Sequence, residues 1–172
     1  MPEADRKRLG EINEKMSMIS LQLGENVLAE TNAFRLLLET EEDLAGLPAS
    51  VRSAAADAAK SADVDALGVV TLNNPSWIPF LQYSDRRDLR EEVFSAYFMR
   101  GNNENENDNK DLFAELMQLR QEMARLLGHN NYAEFFQSIQ MAENPQNVYG
   151  FLYEVWEPAL ARAKRERDEL QT

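Results

Sequence analysis

The 172-residue sequence predicts an all-α protein, a bundle of about six to eight helices with at most one short strand or hairpin near residues 67–72. Three observations predict it. Apolar residues recur in steps of three and four along most of the chain, the spacing of one helix face. Proline and glycine mostly fall between these runs, where they punctuate helices. Only Leu67–Leu72 is short, apolar and β-branched, as a strand would be.

In chain order, Leu9, Ile12, Met16, Ile19 and Leu23 define a first helix from Asp5 to about Thr40, continued loosely by Val27, Phe34 and Leu38. Its heptad run fails at Asn26 and Glu30, so the helix belongs in a bundle and not in a free coiled coil. Gly46-Leu47-Pro48 breaks the chain, and Pro48 is placed to open an alanine-rich helix running to about Ala62. Val51, Ala54, Ala55, Ala58 and Ala59 give that helix a slim face suited to close contact. Asn73–Ser84 reads as an aromatic, proline-rich turn. Asp85 then caps a helix whose Leu89, Val93, Ala96 and Tyr97 face inward, ending near Gly101. A polar loop, NNENENDN, precedes a helix capped by Asp108 and striped by Leu112, Leu116, Leu119, Met123 and Leu126, with Gly128 as its left-handed end. Asn131 with Glu134 starts a short helix carrying Tyr132. Asn144-Pro145 starts the last, whose Val148, Leu152, Val155 and Ala159 form a stripe for burial and whose Pro158 predicts a kink. The charged tail, with no glycine, proline or cap after it, reads as a helix cut while still running, and residues 1–172 read as a single helical lobe.

Composition excludes several classes. With 30 acidic against 18 basic residues the formal charge is −12, which disfavours phosphate backbones and anionic lipid surfaces; neither nucleic acid nor membrane is expected as a partner. There is no cysteine, hence no disulfide, thiolate metal site or thiol nucleophile. No apolar run approaches the roughly 20 residues of a membrane-spanning helix, and the charged start lacks the apolar centre of a signal peptide. Asn74-Pro75-Ser76 is disqualified as a glycosylation acceptor by its proline.

Catalytic motifs are equally sparse. His129 is the only histidine, so a His-Glu-x-x-His zinc motif is impossible and a complete zinc site is not expected. A hydrolase built on His129 competes with the plainer reading of a hydrogen-bonding connector residue. Adjacent carboxylates such as Glu91 and Glu92 point to different helix faces and serve solubility. The Asn102–Asp111 run alternates oxygen ligands but lacks the central glycine and final glutamate of a calcium loop. Trp77, Phe80 and Tyr83 line a peptide groove or pack between helices. Arg90 and Arg100, with Arg86 and Arg87, bind a peptide carboxylate or pair with Asp85, Asp88, Glu91 and Glu92.

The blocks VVTLNNPSWIPFLQYSDRRDLREEVFSAYFMRGN, LMQLRQEMARLLGHNNYAEF, MAENPQNVYGFL and EVWEPALARAKRERDEL, in this order, resemble the thimet oligopeptidase and peptidyl-dipeptidase family of zinc metallopeptidases. The similarity runs from about Leu9 to Leu170 and is nearest in character to the bacterial peptidyl-dipeptidases. It implies a mostly helical protein whose two lobes enclose a narrow channel that admits short peptides. It also implies zinc held by a His-Glu-x-x-His helix and a later glutamate, none of which these 172 residues contain. Family members have further helical sequence ahead of the equivalent of Leu9.

The leading expectation is therefore a non-catalytic helical part of an oligopeptide-cleaving zinc metallopeptidase, inactive alone, with no catalytic or metal residue of its own. Trp77, Phe80, Tyr83, Arg90, Arg100 and Tyr132 are its candidate channel-lining or structural residues. Expected partners are short peptides for the full enzyme, its catalytic domain, and a second copy where helix faces are left bare. The compartment is cytoplasm or periplasm, with cytoplasm favoured. The competing expectation is a stand-alone helical interaction module derived from such an enzyme.

Overall fold

The computed structural model describes residues 1–171. Its elements are α1 (Glu3–Ala33), β1 (Leu36–Leu38), α2 (Ala49–Ser61), β2 (Gly68–Val70), α3 (Asn74–Tyr83), α4 (Arg87–Phe98), α5 (Lys110–Leu126), α6 (Tyr132–Ser138) and α7 (Pro145–Leu170). Seven helices and one two-stranded sheet among the described residues give the all-α class the periodicity predicts. The chain contacts divide into two units, Ser17–Glu115 on one hand, and Met1–Met16 with the residues from Leu116 onward on the other.

In Ser17–Glu115 the strand expected at 67–72 exists, but its partner corrects the reading of the first helix. That helix stops at Ala33, and Leu36–Leu38 pairs antiparallel with β2, Leu36 opposite Val70 and Leu38 opposite Gly68. Leu36 and Leu38 are buried while Leu37 is exposed, the alternation of a strand. Leucine favours helix locally; here pairing across some thirty residues and burial of two leucines override it. Gly68 allows a close approach, since a Cβ there would sit 2.9 Å from the Ala55 Cβ. The slim face of α2 accordingly buries Ala55 and Ala59. Around this sheet Leu36, Leu38, Leu44, Leu47, Phe80 and Val93 form one core, with Trp77 and Tyr97 packed against it.

The aromatic turn is also corrected, for residues 74–83 are helical. Asn73 is the N-cap, Pro75 lies in the first turn where no helical donor is needed, and Pro79 is accommodated inside. Full enclosure of Phe80 fixes this helix. Asp85 does not cap α4. Arg86 occupies the N-cap without a side-chain cap bond, while the Asp85 N–H donates to the Ala45 carbonyl at 3.0 Å. The neighbouring Gly46 has φ +80°, and a Cβ there would lie 2.2 Å from the Tyr83 carbonyl oxygen. Only glycine suits both constraints.

Asn26 and Glu30, which interrupt the heptad pattern of α1, anchor the asparagine-rich loop. Glu30 accepts from the Gly101 N–H at 2.6 Å and from the amides of Asn103 and Asn105, and the Asn26 amide donates to Asn109 at 2.9 Å. Burial pushes the Glu30 carboxyl up, but these donors together outweigh it and its pKa is lowered. Asp108 lies two residues ahead of α5, not at its cap, and still accepts from the Lys110 N–H at 2.9 Å.

In the other unit Ile12, Leu116, Leu119 and Ala124 are buried, and Arg8 grips Glu122 through two bonds of 2.6 and 2.8 Å. Gly128 closes α5 with φ +85°. Its N–H bonds the Arg125 carbonyl and the next N–H bonds that of Ala124, the paired bonds of a glycine-terminated helix. Asn131 caps α6 through Glu134 N–H and Asn144 caps α7 through Asn147 N–H, both as the spacing predicts. Helix α7 runs on through Pro158. Its predicted stripe is not buried: α7 contains no buried residue, and Leu152 and Val155 are about half exposed. No other element of the described chain covers that face.

Candidate functional site

The six candidate residues fall into three settings. The first joins α3 to α4. The Trp77 and Tyr97 rings lie 4.0 Å apart, and the Arg100 guanidinium sits 3.8 Å over the Tyr97 ring. Arg100 also donates to the Tyr97 carbonyl at 2.8 Å and to the Thr31 hydroxyl at 2.6 Å, and the Trp77 indole N–H donates to Asn74 at 3.1 Å. A guanidinium stacked and twice hydrogen-bonded is held in place and has little freedom to seek a ligand. Phe80, one turn from Trp77, is wholly within the core.

The second setting surrounds the end of α3. Tyr83 is half exposed, and Arg90 donates to the Ser84 carbonyl while lining an open hollow of about 400 Å³ with Leu81, Arg87, Glu91 and Phe94. Two arginines at an open hollow offer charge to an anionic group, with Glu91 opposing it. Arg86 stands apart. It binds Asp88 at 2.6 Å, the pairing its neighbours predict, and also Asp43 at 2.5 Å, forty-three residues away. The Arg86 hydrogen bond holds the Asp88 carboxyl down at about 2, and backbone donation from Thr40 leads the lowering of Asp43.

Tyr132 belongs to the third setting, in the other unit. Its ring stacks 6.3 Å from Phe136, and the Arg120 guanidinium lies 5.2 Å from its centre. His129 packs its ring edge-on to Phe135 at 5.6 Å. Trp77 and Arg100 are thus brought together through Tyr97, whereas Tyr83 and Arg90 share another neighbourhood and Tyr132 lies elsewhere. Helical spacing marks Tyr97 as a core residue only and does not reveal its joint contacts with Trp77 and Arg100. Nor does it reveal the exposed aromatic surface of α7, formed by Tyr149, Phe151, Tyr153 and Trp156. Their helical spacing is visible in the sequence; that nothing among the described residues covers them is not.

Among the described residues no group of three or more His, Cys, Asp or Glu side chains is arranged to hold a metal ion. With one histidine and no cysteine, the donor set does not fit the zinc site that the family resemblance implies. Among the described residues no helix is long and apolar enough to cross a membrane.

Comparison with known proteins completes the picture. The sequence profile described as peptidase family M3 matches residues 80–172. Oligopeptidase A of Haemophilus influenzae is 38% identical over 175 residues, covering 99% of this chain and 26% of that enzyme. Oligopeptidase A of Escherichia coli is 35% identical with the same coverage. Dipeptidyl carboxypeptidase of Salmonella typhimurium is 29% identical, covering 99% of the chain and 25% of that enzyme. The chain spans about a quarter of the length of the relatives it matches.

Proposed function

The chain belongs to peptidase family M3, and we propose that it is a non-catalytic helical part of an oligopeptide-cleaving zinc metallopeptidase, forming one wall of its substrate channel. The observation that carries this reading is the alignment of 99% of the chain with only 26% of oligopeptidase A, in a sequence with a single histidine. Relatives named as an oligopeptidase and as a dipeptidyl carboxypeptidase support peptides as the substrates of the whole enzyme. Zinc, its ligands and the water it activates belong to sequence outside these residues. The role of this part is steric. A rigid helical wall admits extended peptides and excludes folded proteins, with Tyr83 and Arg90 facing the channel, the Trp77–Tyr97–Arg100 stack and Phe80 bracing it, and Tyr132 bracing the other unit. We place the enzyme in the cytoplasm in preference to the periplasm.

Incubating the chain with zinc and short fluorogenic peptides tests the catalytic half of the proposal. No cleavage is expected, and cleavage abolished by a chelator would overturn it. The steric half is tested in a full-length enzyme carrying this segment. There Tyr83→Ala should alter KM or the length of peptide accepted while leaving zinc content unchanged.

The bare apolar surface of α7 favours a second reading, an interaction module that uses this face for a protein partner. A His-Glu-x-x-His motif in the reading frame beyond Thr172 would decide for the enzyme, and a natural stop for the module.

A further inference from the structure

Helix α7 is apolar over more of its circumference than a surface helix needs. At 100° per residue, Phe151, Val155, Leu152, Trp156, Tyr149 and Tyr153 sweep an arc of about 200°, with Phe151 and Tyr153 at its edges. A helix lying on a single core requires an apolar stripe of about 100°. Every one of these side chains is exposed, the two edge residues by 66% and 65%. Asn147, Glu154 and Glu157 occupy the remaining side. A monomer seldom leaves so continuous an aromatic surface to water.

We propose that α7 is a buried strut, embedded on two sides by the part of the M3 enzyme that lies outside this chain. The proposal rests on the reading that the chain is one part of a longer peptidase, and it goes further in naming the surface and the number of neighbours. Two observations choose this occupant over a second copy. The relatives carry about three quarters of their length outside the matched part, ample chain to supply two covering elements. Pairing α7 with its own copy would cover one stripe and leave the opposite edge bare, whichever edge it chose. Glu154 and Glu157 mark the side that stays toward solvent.

Exposed side chains can be altered without disturbing the fold of this chain, which makes the test direct. The tagged chain is co-expressed with Haemophilus influenzae oligopeptidase A from which the matched quarter has been removed, and the complex is purified through the tag. A one-to-one complex is expected, with amide exchange across 148–160 slowed relative to the free chain. Phe151→Glu at one edge and Trp156→Glu toward the other should each lower recovery at least tenfold. Recovery sensitive to one substitution only would overturn two-sided embedding, and soluble complement that does not co-purify would overturn docking altogether. Dimerisation of the free chain that protects α7 and is abolished by both substitutions would assign the surface to a second copy instead. Should the complement be insoluble, the free chain still decides: both variants must keep the parent melting temperature, and a fall of several degrees would show that the face is already packed. Peptide cleavage by the zinc-loaded complex is scored separately, so that a complex protected on both edges yet inert would sink the channel-wall reading and leave the strut standing.

Discussion

Helices α3 and α7 begin alike and end in opposite circumstances. Each opens with Asn-Pro in its first turn, contains an internal proline and carries large aromatic side chains. In α3, Phe80 is wholly enclosed by a core assembled from β1, β2, α4 and the 44–47 loop. In α7, Trp156 is 56% exposed and no residue is buried. Apolar periodicity states that a face requires a partner; it does not state that the partner lies in the same chain.

Four measurements would break or sharpen this contrast. The largest effect is expected at Phe80, where Phe80→Ala should cost about 3–5 kcal/mol in urea unfolding, by lost transfer energy and an unfilled cavity. Trp156→Ala should change stability by less than about 0.5 kcal/mol, since it touches little. Equal costs at the two sites would show that α7 is packed within this chain. Next, Gly46→Ala should destabilise by about 1–3 kcal/mol from the left-handed backbone alone, and further because its Cβ meets the Tyr83 carbonyl. A smaller loss would mean that the 45–47 loop yields.

A smaller effect separates the cap of α7 from its face. Asn144→Ala should cost about 1 kcal/mol of helix stability, seen by circular dichroism as fraying of the last helix while the core melts unchanged.

The smallest effect is electrostatic. Asp88 and Asp108 are held down at about 2 by their bonds to Arg86 and Lys110, below the ordinary aspartate value of about 3.9. A carboxyl with a lowered folded pKa adds stability that is complete above the unfolded value and is lost as pH falls through the folded one. Stability should therefore decline between about pH 5 and 2, and Asp88→Asn should flatten part of that decline. Asp88 is solvent-exposed whereas the Asp108 side chain is mostly covered, so salt should shrink the Asp88 share of the effect more. A slope unchanged in Asp88→Asn would assign acid sensitivity to other carboxylates, Glu30 first among them.

Much of the fold was legible because its signals are local. The caps at Asn131 and Asn144, the left-handed end at Gly128 and the leucine stripe of α5 depend on residues a turn or two apart, and each stands where spacing put it. Leu36–Leu38 reads locally as helix because its strand character comes from β2, thirty residues on. Residues 74–83 read locally as a turn because their two prolines outweigh Phe80, whose enclosure involves distant leucines. Asn26 and Glu30 looked like flaws in a heptad until the loop they hold was in place.

The candidate site divides along the same line. Residue types announced aromatic and arginine chemistry between 77 and 100, but the Trp77–Tyr97–Arg100 stack and the Arg86–Asp43 bond join residues whose proximity no spacing encodes. Sequence alone carried the helical class, the family likeness and the absence of a His-Glu-x-x-His motif, because periodicity, ordered blocks and a single histidine are properties of the chain in one dimension. Tertiary structure decided which apolar faces are satisfied. Burial is a relation between distant residues, and only in three dimensions does Phe80 find its enclosure while Trp156 is left bare.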